Sequence, residues 1–289
     1  MISDEGNALQ VRTGNLTEDV SSWRTPKPDR IFANIPKIGI VVGSFAAVPY
    51  VHLHLECRRR FYPEVPLLIQ DDCSPFGDPL RRLCHEYGAE FSGNVIRFPR
   101  FRGDLTAMAH GMVWCEKNGI DLLVKMSRRF VPKMKWTDGL IELAVASQYP
   151  TYSAWTSTLN FGFRTECVAF AVGEWRRLGL LDALIDLIYQ PGRIHVELEV
   201  HRLARRAALF KSHMADRYDH SIGHRLPDRN GYAPWPFMGT DRAAPSRDYL
   251  WHDWATPTDY AKLAAECGLS YTSPDFADPN MGCGQSPRR

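Results

Sequence analysis

The chain has 289 residues, 44% hydrophobic and 24% charged, enough to bury the core of one large α/β domain or of two small ones. Its 35 basic and 33 acidic residues leave a net charge of +2, which excludes the strongly basic profile of a general nucleic-acid binder. Seven cysteines without a CxxC pair exclude both a disulfide framework and a zinc ribbon. Reduced thiols in a cytoplasmic protein are the plain reading. No stretch is long and apolar enough to span a bilayer, and residues 1–22 lack the basic-then-apolar order of a signal peptide.

Residues 1–36 read as a polar N-terminal tail. "KIGIVVGSF" (37–45) is an apolar, β-branched run, the pattern of a strand buried on both faces. "PYVHLHLECRRRFYP" follows as a helix, with Pro49 suited to its first turn. "VPLLIQDDCSP" is a second buried strand with Asp71 and Asp72 at its carboxyl end. "DPLRRLCHEYGAEF" is a helix that Gly88 stops, and a short strand is expected at 89–91 or 95–98. "GDLTAMAHGMVWCEKNG" is a helix with Asp104 as its expected cap. "IDLLVKM" (120–126) is the next strand, and it runs directly into Ser127, Arg128 and Arg129.

Beyond residue 150 the text is less regular. "TYSAWTS" and "ECVAFAV" read as strands. "GEWRRLGLLDALIDLIY" reads as one amphipathic helix, and "HVELEVHRLARRAALF" as another with acids in its first turns. Residues 215–247 are rich in Pro, Gly, Asp, Arg and aromatics and read as a long irregular segment that could cover a site. "TDYAKLAAECG" is a last short helix, and residues 273–289 read as a loose tail.

Strands alternating with helices imply a mainly parallel sheet flanked by helices, with ligands outside the carboxyl ends of the strands. The runs at 38–42, 66–70 and 122–125 are expected as neighbouring parallel strands. Ser44, Asp71, Asp72 and residues 127–129 all fall at those ends. Neither GxGxxG nor a Walker A sequence is present, which argues against a dinucleotide site or a P-loop.

In order along the chain, "IQDDCS", "EYGAEF", "GDLTAMAHG", "DLLVKMSRR" and "FRTECVAFAVGEWRRLG" before "HVELEVHRLARRA" resemble the motif series of GT-A glycosyltransferases, especially family 2. The resemblance spans residues 38–209. It implies a GT-A-like, Rossmann-related α/β fold with an irregular C-terminal acceptor-side region. Residues 37–150 would form the nucleotide-sugar half and 151–272 the acceptor-side half.

The implied activity is transfer of a sugar, of hexosyl type, from a nucleotide-diphosphate sugar to a glycan or other hydroxyl acceptor, with inversion and with UDP-sugars favoured. The chain departs from the family where a DxD motif would hold a divalent cation: Ser127, Arg128 and Arg129 stand there instead. Carboxylates suit hard cations, and guanidinium is a permanent cation with a planar fork for phosphate oxygens. The expectation is therefore that Arg128 or Arg129, with Lys125, neutralises the diphosphate and that no cofactor is needed. Solvated surface arginines are the ordinary alternative.

The resemblance further implies that Asp71 or Asp72 contacts the nucleoside, the other serving the turn, with a contact from Ser44. It implies Glu197, or failing that Glu199, as general base. His252 in "YLWHDW" is a candidate partner of the diphosphate, with His195 and His201 as lesser candidates. Trp155, Trp235, Trp251 and Trp254 could form a sugar platform, although core packing is the more usual role of such residues. Two rivals stand beside this reading: a non-catalytic nucleotide-sugar binder or partner subunit, and a nucleotidyltransferase. The expected location is cytoplasmic, with peripheral contact at the inner membrane face as an option. No nucleic-acid partner is expected.

Overall fold

The computed structural model describes residues 30–75, 77–99, 102–153, 165–212, 233–234, 249–251 and 255–277. The elements in chain order are β1 (Ile38–Ser44), α1 (Val48–Phe61), β2 (Leu67–Asp71), α2 (Gly77–Glu86), β3 (Glu90–Gly93), α3 (Arg102–Asn118), β4 (Leu122–Ser127) and β5 (Phe130–Pro132). They continue with α4 (Thr137–Ser147), β6 (Thr151–Ser153), β7 (Cys167–Ala171), α5 (Val172–Arg177), α6 (Leu180–Tyr189), α7 (Val196–Ser212), β8 (Ala233–Pro234), β9 (Tyr249–Trp251) and α8 (Pro257–Glu266).

Seven strands form one sheet in the order β3-β2-β1-β4-β7-β6-β8, and β5 pairs with β9 in a separate ribbon. β2, β1 and β4 are parallel neighbours, as their apolar runs imply. β7 runs antiparallel to both β4 and β6. The sheet therefore passes without a break across residue 150.

Alternation along the strands separates two cores. Ile40, Val42, Val124 and Met126 face one side with Val51, Leu55, Leu80 and Leu140, from α1, α2 and α4. Val41, Leu123 and Phe170 face the other with Met108, Met112, Leu184 and Val200, from α3, α6 and α7. A third cluster joins Tyr50, Leu53 and Cys57 of α1 to Tyr260 and Leu263 of α8. Gly111 lets α3 lie close on the sheet, since a Cβ there would fall 2.9 Å from Val41 Cγ1.

Three local expectations are corrected. The helix read over 173–189 is two helices, because Gly179 takes φ 67° between α5 and α6. The polar tail ends earlier than residue 36: Phe32 is buried in the first core, and its N–H donates to Gln148 Oε1 at 2.9 Å. The tail expected from residue 273 begins instead with a 3-10 helix, Ser273–Phe276, whose Phe276 ring is buried. Thr272 and Asp275 close that turn with a reciprocal capping box. No helix among the described residues is long and apolar enough to cross a membrane.

Candidate functional site

The chain lays β1, β2 and β3 outward in one direction and then returns to the opposite side of β1 at β4. That reversal is a topological switch point, where the helices leave the sheet on different faces and open a crevice at the carboxyl ends. Ser44 ends β1, Asp71 ends β2 and Ser127 ends β4, with Gly43 in register with Ser127 and Ser44 with Asp71. The turns after these three strands form the candidate site.

The turns after β1 and β2 are laced together by side chains. Asp71 accepts from the Ser74 N–H and the Ser74 hydroxyl, both at 2.6 Å. Ser74 Oγ in turn accepts from Ala46 N–H at 2.6 Å, and Asp72 N–H donates to Ser44 O at 2.8 Å. Ala46 and Cys73 take positive φ values of 46° and 60°, an uncommon conformation for residues with a Cβ. Asp71 is thus the turn-forming aspartate of the pair. Ser44 is buried, and its hydroxyl has no partner among the described residues.

Asp72 turns toward α3. Its Oδ1 accepts from Asn94 Nδ2 at 2.9 Å and from Phe98 N–H at 3.1 Å. A Cβ on Gly103 would lie 2.6 Å from Asp72 Oδ2, so glycine is required for this close approach to the first turn of α3. Partial burial pushes the Asp72 carboxyl above its ordinary range, against the bonds from Asn94 and Phe98 and the charge of Arg97. Asn94 continues the network through Gln70 to His110, with Gln70 Oε1 and His110 Nδ1 2.8 Å apart. Arg97 stacks its guanidinium 3.6 Å from the centroid of the Phe45 ring, at the same strand ends.

The β4 side is built differently. Lys125 is fully buried, with Nζ 2.7 Å from Asp104 Oδ1 and donating to Thr165 O at 2.7 Å. It is an internal cation, directed at protein oxygens rather than into the crevice. Asp104 is correspondingly not the cap expected from its position: α3 begins at Arg102, and Asp104 in its first turn serves the ion pair.

Ser127 follows, its N–H bonded to Glu166 O at 2.8 Å and its hydroxyl buried without a partner among the described residues. Arg128 and Arg129 form the turn from β4 into β5, both partly buried. The bonds that anchor this turn reach its carbonyl oxygens. His54 Nε2 lies 3.1 Å from Arg128 O, and Tyr260 donates to Arg129 O at 2.5 Å. A carbonyl can only accept, so His54 carries its proton on Nε2. Burial pushes the His54 pKa down to about 4, which keeps the ring neutral.

Glu197 and Glu199 both lie in the first turn of α7. Glu199 is paired with Arg202 at 2.6 Å. The approach to α7 is tied to α3, because Arg102 donates to Ile188 O at 3.1 Å and to Gly192 O at 2.7 Å. The segment that leads to these two acids is therefore bonded to the first turn of α3, which carries Asp104 and lies against Asp72. His201 is buried on α7, and His195 is exposed just before it. Trp251 is core, packed at 1% exposure in the first cluster. His252, Trp155, Trp235 and Trp254 lie outside the described residues.

The sequence reading missed His54, Tyr260 and Asn94. His54 had a signal, a histidine within the apolar run "VHLHL"; Tyr260 and Asn94 had none, because their partners are remote in sequence. Among the described residues, no three His, Cys, Asp or Glu side chains gather in a way that could hold a metal ion.

No protein-family model matches the chain. No curated protein matches it either. Solved structures do. The glycosyltransferase GlyE of Streptococcus pneumoniae aligns at 13% identity and TM-score 0.40, covering 58% of this chain and 43% of its own. The mannosyltransferase PcManGT of Pyrobaculum calidifontis, solved with GDP-Man and Mn2+, aligns at 15% identity and TM-score 0.43, covering 86% and 69%. A cytidylyltransferase of Leptospira borgpetersenii aligns at 11% identity and TM-score 0.45, covering 82% and 89%. The chain thus spans less than half of GlyE.

Proposed function

We propose that this protein is a GT-A-type glycosyltransferase that moves a hexosyl group from a nucleotide-diphosphate sugar, UDP-linked by preference, to a hydroxyl acceptor, with inversion and without a divalent cation. The observation that carries the reading is the Ser127-Arg128-Arg129 turn at the β1/β4 switch point, beside the end of β1. An open α/β sheet binds its ligands at that place, and the residues offered there suit phosphate.

In this reading the nucleoside lies over the ends of β1 and β2. Ser44, whose hydroxyl has no partner among the described residues, and Asp72 offer the polar contacts, while Asp71 holds the turn. The diphosphate faces the Ser127–Arg129 turn. A guanidinium can give two parallel N–H···O bonds to the leaving oxygens and meet the negative charge that develops as the bond from the anomeric carbon to the diphosphate breaks. Glu197 takes the proton of the acceptor hydroxyl as that oxygen attacks from the opposite face. Glu199, which pairs with Arg202, is the second candidate.

A nucleotide-sugar binder without turnover is the second reading. It is favoured by the engagement of Asp71 and Glu199 with neighbours inside the protein.

The test is transfer and donor hydrolysis over a panel of nucleotide sugars, with EDTA and with Mn2+. The proposal expects sugar release that EDTA leaves unchanged and that Glu197→Gln lowers by ~10²–10⁴-fold with donor binding kept. Binding with no turnover on any donor would favour the second reading. A rate abolished by EDTA and restored by Mn2+ would overturn metal independence.

A further inference from the structure

Asp72, Asn94, Thr106, Gln70 and His110 form one continuous hydrogen-bonded run between the end of β2 and α3. Gln70 and Thr106 are buried, and His110, one turn after Thr106 on α3, is exposed. Two backbone groups with no choice of role set the direction of these bonds. Gly103 O can only accept, and Thr106 donates its one hydroxyl hydrogen to it at 2.8 Å. Thr106 Oγ1 is left as an acceptor, so the Asn94 atom 3.1 Å away is the amide nitrogen Nδ2. The same Nδ2 donates to Asp72 Oδ1 at 2.9 Å. Phe98 N–H can only donate, and it reaches that oxygen at 3.1 Å.

With its nitrogen turned to Asp72 and Thr106, Asn94 presents Oδ1 to Gln70, whose Nε2 donates to it at 3.1 Å. Gln70 Oε1 then faces His110 Nδ1 at 2.8 Å, so the neutral ring carries its proton on Nδ1. At the other end of the run, two donors converge on Asp72 Oδ1. Partial burial works against the charged carboxylate, and these two bonds work for it. Asp72 Oδ2 accepts no hydrogen bond among the described residues and lies beside Gly103, in the first turn of α3.

We infer that Asn94 and Thr106 are positioning residues that hold Asp72 as an ionised hydrogen-bond acceptor, so that the uridine group meeting Asp72 Oδ2 is a hydrogen donor, the ring N–H or a ribose hydroxyl. The inference rests on the nucleotide-sugar reading above. Thr106→Val removes the acceptor that Asn94 Nδ2 faces and frees the amide to turn over. Its oxygen then stands against the carboxylate and favours a protonated Asp72, which is a poorer acceptor.

The test titrates UDP, 3-methyluridine diphosphate and 2′,3′-dideoxyuridine diphosphate into the full chain by calorimetry. Thr106→Val is expected to bind UDP about tenfold more weakly than wild type, and Thr106→Ser, which keeps the hydroxyl, within about twofold of it. In wild type one analogue binds about tenfold more weakly than UDP, the first if the ring N–H is the donor and the second if a ribose hydroxyl is. Nitrogen NMR at about pH 8, where burial keeps His110 neutral, shows its proton on Nδ1. Unchanged UDP affinity in Thr106→Val overturns the inference and leaves the nucleotide-sugar reading standing, as do two analogues that bind like UDP. A His110 ring protonated on Nε2 also overturns it. No UDP binding by the wild type overturns that reading and the inference together. If Thr106→Val fails to fold, the analogue titrations and the His110 tautomer decide.

Discussion

The ends of β2 and β4 flank the same strand, and they are held by opposite means. At β2 the side chains do the holding: Asp71 closes its own turn on Ser74, and Asp72 bonds Asn94 and the Phe98 N–H. At β4 the backbone is held: His54 and Tyr260 bond the carbonyl oxygens of Arg128 and Arg129. A turn fixed through its carbonyls keeps its anchors when its side chains are replaced. A turn fixed through carboxylates does not. The first arrangement keeps these two bonds whatever side chains stand at 128 and 129, and the second ties residue type to folding.

This contrast sets the sizes of four effects. The largest belongs to His54, the neutral anchor of the β4 turn. Its pKa is about 4 in the fold against an ordinary value of 6.5. Between those values the unfolded chain binds a proton that the folded chain excludes, so stability falls as pH drops through this window and levels off below it. The swing is about 3 kcal/mol as an upper figure. Urea unfolding of wild type and His54→Gln from pH 4 to 7 should show a flatter profile in the variant. Some slope should persist, because burial lowers His52 and His110 as well.

Asp71→Ala comes next. It removes the acceptor of two bonds and should cost about 2 kcal/mol, read as a lower denaturant midpoint with the slope unchanged. Lys125→Met should cost about 1–2 kcal/mol. Breaking a buried pair leaves a charge uncompensated, but Asp104 keeps 31% of its side chain in water, which limits the loss. Smallest are Arg128→Ala and Arg129→Ala, which keep both carbonyl anchors and should cost no more than about 1 kcal/mol. A loss of 2 kcal/mol or so in either arginine variant would break the contrast.

The same contrast explains what the sequence could show. β1, β2 and β4 were legible because strands buried on both faces read as unbroken apolar runs. Their placement as parallel neighbours followed from the helical periods between them. α8 was legible as the helix "TDYAKLAAECG", without the Thr256–Asp259 capping box that opens it. The division at Gly179 was not, because a glycine inside an amphipathic period is compatible with either a continued or a broken helix.

At the site, the strand-end positions of Ser44, Asp71, Asp72 and Ser127 could be read, since they depend only on where a run stops. The division of labour between the two aspartates could not, because it depends on Ser74 and Asn94 approaching in three dimensions. The internal pairing of Lys125 was hidden for the same reason. A lysine at a strand end looks available for phosphate until a helix brings Asp104 against it. The anchors His54 and Tyr260 are separated from the turn by long stretches of chain and left no local pattern.

The most direct test of the arginine turn is calorimetric titration of UDP into the wild-type protein, Arg128→Ala and Arg129→Ala, all in EDTA. The account predicts that the wild type binds without a cation and that at least one variant binds about tenfold or more weakly, a loss of about 1.4 kcal/mol, with an unchanged unfolding midpoint. Equal affinity in all three proteins, or binding that appears only when Mn2+ is added, would contradict it.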